Sequence, residues 1–151
     1  MMSKTMQDAL NEQMKHEFYS HYLYLSMSAF CEGANLPGLA RWMRAQAQEE
    51  AKHAMKIFDH LLDRGGRVEL AQIDRPPSQF SSPREVFEQA HKHEQHVTAS
   101  INKVYGLAME ERDFASRVTI TSRDTPIAPA TAAAVPPPGV GLALPNASSS
   151  C

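Results

Sequence analysis

Three segments of this chain repeat apolar residues at alternating steps of three and four, and a glutamate interrupts each stripe near its middle. Such spacing belongs to the buried face of an α-helix, so the fold has to take carboxylates into a helical core. The first stripe is Leu10, Met14, Glu17, His21 and Tyr24, with Phe18, Tyr22 and Leu25 beside it. The second is Leu39, Met43, Gln46, Glu50, His53 and Ile57, and the third is Phe87, Ala90, Glu94, Val97, Ile101, Val104 and Ala108.

Start and stop signals frame these stripes. A first helix is predicted from about Thr5 to Glu32, with Gly33 as its C′ residue. Asn35 and Pro37 mark a second start, and Gly65-Gly66 ends that helix after Arg64. Ser82-Pro83-Arg84-Glu85 joins a capping box to a proline at N1 and opens a third helix that runs to about Arg112. Each helix is roughly 40 Å long at 1.5 Å per residue. The short first link predicts an antiparallel hairpin, and the long connection over 65–82 predicts a crossover along the length of a bundle. The fold class is all-α, an up-down helical bundle. A fourth helix would have to follow Arg112. Asp113 could cap one, but Ser116 to Thr121 are β-branched without a helical period, and Pro126 and Pro129 follow, so no fourth helix is expected.

Composition changes at the same place. Residues 1–115 hold 13 of the 15 Lys and Arg, 16 of the 17 Asp and Glu and all seven His, whereas 116–151 hold six of the ten prolines. The chain therefore divides into a helical domain, 1–115, and an irregular tail rich in Pro, Ala and Ser, 116–151. A net charge of −2 argues against nucleic acid as a partner. The uncharged stretch from Ile127 to Pro145 is broken by prolines and argues against a membrane span. Met1 to Phe18 have no secretory pattern, and two distant cysteines, Cys31 and Cys151, form neither a disulfide framework nor a zinc site. A reducing cytoplasm is the expected location.

The acids carry the chemistry. Antiparallel helices of equal length bring their midpoints to one height, so Glu17, Glu50, His53 and Glu94 are expected in a single layer. Ionised carboxylates there would cost several kcal/mol each and repel one another, unless cations offset them. Oxygen ligands with one imidazole suit iron or manganese. Glu50-Ala51-Lys52-His53 sets carboxylate and imidazole one turn apart on one face, the ligand pattern of carboxylate-bridged di-iron bundles. Glu88-Gln89-Ala90-His91 has the same spacing, but its stripe of Glu88, His91, Gln95, Thr98 and Asn102 is polar throughout and reads as solvated. His16, His60, His93 and His96 read as surface or flank residues.

The segments LNEQMKHEFYSHYLYLSMSAF, RAQAQEEAKHAMKIFDHLLDRGG and FEQAHKHEQHVTASIN resemble the first three helices of bacterial non-haem ferritins. The resemblance covers residues 5–115, crossover included. It implies a cytoplasmic iron-storage protein that forms a homo-oligomeric shell of 24 subunits. Each subunit would oxidise Fe(II) to Fe(III) at a di-iron centre with dioxygen or hydrogen peroxide. By position, Glu17 and His53 match ligands of the first iron, Glu50 the bridging carboxylate and Glu94 a ligand of the second. Glu49 matches a carboxylate of a weaker additional site, and Tyr24 a tyrosine that can donate an electron. Haem is not implied, because Ala51 and Lys52 stand where a haem-ligating methionine would be sought.

In that family a fourth helix supplies the remaining acids. Here SRVTITSRDTPIAPATAAAVPPPGVGLALPNASSSC stands instead, with the Ala, Pro, Ser and Arg bias of a GC-rich gene read out of frame. A frameshift near codon 115 would explain it, and a genuine disordered tail is the alternative. Loss of the fourth helix would impair oxidation, leaving at most about one Fe(II) per chain and no proper shell. A reading from another class is a non-catalytic helical adaptor that accepts a partner's helix in the groove left open.

Overall fold

A computed structural model describes residues 2–121. It is all-helical among those residues: α1 Lys4–Gly33, α2 Pro37–Asp63, α3 Pro83–Glu110 and α4 Phe114–Thr121. α1 packs against α2 and α3, and α4 packs against α3 and α2.

Local chemistry sets the ends. Ser3 Oγ accepts the Met6 N–H at 3.0 Å and caps α1. Ser82 Oγ accepts the Glu85 N–H at 3.2 Å and caps α3, while the Glu85 carboxylate takes the N–H of Ser81 rather than that of Ser82. α2 begins without a side-chain cap, on Pro37. The three long helices end alike. Leu36 N–H returns to Cys31 O, Gly66 N–H to Leu61 O and Asp113 N–H to Ala108 O, at 2.9, 2.7 and 2.8 Å. Each closes a Schellman turn around a residue of positive φ: Asn35 at 58°, Gly65 at 67° and Arg112 at 56°. Asn35 thus finishes α1 rather than starting α2, and Gly33 is still helical, because the left-handed position falls two residues later than the glycine.

A fourth helix does form, which corrects the expectation that none follows Arg112. Asp113 Oδ1 accepts the Ser116 N–H at 3.1 Å, and its carboxylate also receives Arg64 Nη1 at 2.8 Å. His60 on α2 lies 2.9 Å from Ser116 Oγ and 3.1 Å from Thr119 Oγ1, and Ile120 is buried against the core. An N-cap and tertiary contacts outweigh the weak helix preference of Val118, Thr119 and Ile120. The irregular tail was expected from residue 116: residues 116–121 belong to α4 instead, and residues 122–151 lie outside the described residues.

The core has two apolar clusters. One gathers Met6, Leu10, Met14, Ala54, Ile57, Leu61, Val104 and Ile120. The other gathers Leu23, Tyr24, Met27, Cys31, Met43, Ala47, Val86 and Ala90. Along α1 the buried polar residues Gln13, Glu17 and Ser20 fall between them, and on α2 so does Glu50. Tyr22 and Leu25, expected beside the first stripe, are 49% and 39% exposed. They lie on the outer face, and Leu23 and Met27 are buried instead.

Candidate metal centre

The polar layer holds a set of groups that a protein core does not take in without a partner. Glu17 and Glu50 retain 2% and 3% of their accessible surface. His53 Nδ1 stands 3.2 Å from Glu50 Oε2 and 4.0 Å from Glu17 Oε2. One ligand atom from each of the three lies within 4.8 Å of the others. Two carboxylates and an imidazole at that spacing can surround one divalent ion of the iron or manganese kind.

The elements place these atoms simply. His53 follows Glu50 by one turn of α2, so both project from one face. Glu17 comes across from α1, which His21 ties to α2 by a ring nitrogen 2.7 Å from Ala47 O. Gln13, one turn before Glu17, donates its amide N–H to Glu17 Oε1 at 2.7 Å. Gln13 Oε1 in turn accepts the Ser100 hydroxyl of α3 at 2.6 Å. Glu17 Oε1 is thereby engaged, and Oε2 is the oxygen turned to His53. Spacing alone could have flagged Gln13, four residues before Glu17 on the same face; Ser100 has no such signal.

Glu94 behaves differently from the other expected ligands. It is half-buried and accepts the Tyr24 hydroxyl at 2.6 Å. It stands outside the group of three, as does Glu49, a half-buried neighbour of Glu50. Tyr24 itself is buried, 1% exposed, and its phenol links α1 to α3. Gln46, one turn before Glu50, has a buried amide oxygen that lacks a hydrogen-bond partner among the described residues. Glu88, His91, Gln95, Thr98 and Asn102 are all exposed, as their polar stripe predicts.

A small cavity of about 10 Å³ adjoins the centre, room for roughly one water-sized sphere. Glu17, His53 and Lys56 line it with Gln13, and α4 contributes Thr119 and Ile120. The fourth helix therefore reaches the centre, and the two side chains it brings there are not acids.

The model of the ferritin family, described as a ferritin-like domain, matches residues 7–123. The bacterial non-heme ferritin of Bacteroides fragilis (strain 638R) is 39% identical over 117 residues, covering 78% of this chain and 74% of that protein. The bacterial non-heme ferritin of Staphylococcus saprophyticus is 40% identical over 116 residues, covering 77% and 70%. Among solved structures, an open-pore ferritin from the hyperthermophilic archaeon Archaeoglobus fulgidus superposes with a TM-score of 0.77 at 45% identity, over 80% of this chain and 74% of that one. A ferritin from Chlorobium tepidum gives 0.76 at 36% identity, over 80% and 74%.

Proposed function

Because this chain belongs to the ferritin family, we propose that it takes up Fe(II) as substrate at Glu17, Glu50 and His53 and oxidises it to Fe(III) for storage. The observation that carries this reading is the buried trio itself, two carboxylates and an imidazole gathered in a layer that interrupts an apolar core. A purely structural role gives no reason to desolvate two acids at one point.

In this reading Glu17 offers Oε2 while Gln13 holds Oε1, and His53 supplies the nitrogen. Glu50, between the two, is the carboxylate suited to bridge toward a second iron. That second position draws on Glu94, with Glu49 serving a weaker site beyond it. Tyr24, bonded to Glu94, stands where a phenol can yield an electron and pass its proton to the carboxylate. Two Fe(II) together supply the two electrons that reduce dioxygen to hydrogen peroxide, or hydrogen peroxide to water, with protons taken from solvent.

The second position is incomplete. Thr119 and Ile120 occupy the α4 side of the centre and carry no carboxylate. Paired oxidation is therefore impaired, and one Fe(II) per chain is the expected tight stoichiometry. A cytoplasmic location and a 24-subunit shell belong to the same reading, with shell assembly weakened by the altered fourth helix. Anaerobic Fe(II) titration, combined with mass measurement by size-exclusion chromatography and light scattering, tests it. One tight Fe(II) per chain, lost in Glu50→Ala, is expected. Two tight sites in a mineralising 24-mer would overturn the impairment, and no Fe(II) binding would overturn the reading as a whole.

A further inference from the structure

Away from the buried centre, α1, α3 and the crossover enclose a second collection of ligand-type side chains. His16 and Lys15 of α1, His93 and His96 of α3 and Asp74 of the crossover line one cavity of about 210 Å³. Within it His16 is half-buried, with a contact at each ring nitrogen. Its Nδ1 lies 3.0 Å from Ser100 Oγ, and that hydroxyl already gives its proton to Gln13 Oε1 at 2.6 Å. Ser100 can then only accept from the ring, so Nδ1 carries a hydrogen, and Nε2 is the nitrogen that faces Glu12 and that an ion would take by displacing any proton shared with that carboxylate. A fixed N–H on the far side of the ring is how proteins orient metal-ligating histidines.

Nε2 has company. Glu12 Oε1 stands 3.3 Å from His16 Nε2, one turn earlier on α1. That oxygen also meets Lys15 Nζ at 3.2 Å, while Glu12 Oε2 carries no hydrogen bond among the described residues. His96 approaches from α3 with its ring centre 5.6 Å from that of His16 and its plane inclined by 65°. Two imidazoles on one tetrahedral ion, bound at about 2 Å, set their ring centres roughly 5 Å apart.

We propose that Glu12, His16 and His96 form a surface site for a late divalent transition ion of the Zn(II) class, separate from the buried centre. Two imidazoles and one carboxylate suit zinc and its neighbours better than a hard cation. Asp74 lies on the wall of the cavity that His16 and His96 line, and His93 is tied through Nε2 to Ser20 Oγ at 2.7 Å. The site is half assembled. Glu12 and His16 are paired, and His96, an exposed side chain without a hydrogen bond among the described residues, closes the set by rotating about its own χ angles. Only the buried trio already has three ligand atoms within 4.8 Å among the described residues.

The full chain separates the two sites by calorimetric titration with Zn(II), with Co(II) absorption as the geometric readout. Glu50→Ala abolishes the buried centre and should leave one Zn(II) event. In that background His96→Ala or Glu12→Gln should weaken the event at least tenfold and remove the intense tetrahedral Co(II) bands. His96 is exposed, so its replacement leaves folding intact. A Glu50→Ala chain that binds no Zn(II), or one whose Zn(II) isotherm is unchanged by His96→Ala, would overturn the proposal.

Discussion

Gln13 and Glu17 form a buried amide–carboxylate pair, with Gln13 Nε2 donating to Glu17 Oε1 at 2.7 Å and neither residue more than 2% exposed. The amide fixes which carboxylate oxygen faces His53, and Ser100 fixes the amide. Gln13→Leu leaves Glu17 Oε1 without its donor in a low-dielectric core. A loss of about 1–3 kcal/mol in folding stability is expected from the lost donor. Metal affinity should fall by about 10–100-fold, as it does when an outer partner of a ligand is removed. Urea denaturation and anaerobic Fe(II) titration of the variant measure the two effects.

Occupation of the centre should stabilise the fold by mass action. With Mn(II) present at a hundredfold excess over its dissociation constant, the gain is about 2.7 kcal/mol if only the folded chain binds. Glu50→Ala should lose that gain. Differential scanning calorimetry with and without Mn(II) reads it directly, and equal shifts in both proteins would mean that the trio is not the binding site.

Acid should act through the α2–α4 junction. Burial, with Arg64 assisting, lowers the His60 pKa below 6.5. The unfolded chain then binds more protons in the interval between the two values, so stability falls as the pH drops through 6.5 toward the folded value. Asp113 shifts from its ordinary 3.8 for opposing reasons: burial raises its pKa, but hydrogen bonds from Arg64 and Ser116 outweigh that and leave it lowered. Its contribution is present above 3.8 and is lost as the pH falls through the lower folded value. Urea midpoints between about pH 3 and 8 should therefore show two declines. His60→Gln should shrink the upper one, leaving the part due to His16, whose pKa burial also lowers.

Arg112 occupies the left-handed position after α3 with φ of 56°. A side chain there costs roughly 1 kcal/mol relative to glycine. Arg112→Gly should raise stability by up to about that amount without altering metal binding, which thermal denaturation and Fe(II) titration would establish together.

Much of this was legible in the chain itself. The spacing of Glu17, Glu50 and His53 along their stripes was enough to bring the three side chains together, because helix periodicity fixes the face and equal helix lengths fix the height. Glu94 shared that face, yet its position depends on which neighbour it finds, and Tyr24 supplied one. The fourth helix was missed for a similar reason: Asp113 was recognised as a cap, but its partners Arg64 and His60 lie about fifty residues away in sequence. The burial of Leu23 and Met27 in place of Tyr22 and Leu25 follows the slow drift of a 3.6-residue turn against an assumed 3.5.

The interruption of the core by a polar layer divides the molecule's cohesion. The apolar cluster around Met6 and Leu61 and the one around Tyr24 and Met43 meet across charged and amide groups rather than through continuous packing. A cation bound there as proposed would act as a keystone between them. Amide hydrogen exchange in α1 around Glu17 should accordingly slow on loading. On the same proposal, the chain without its ion would be the easier substrate for a protease.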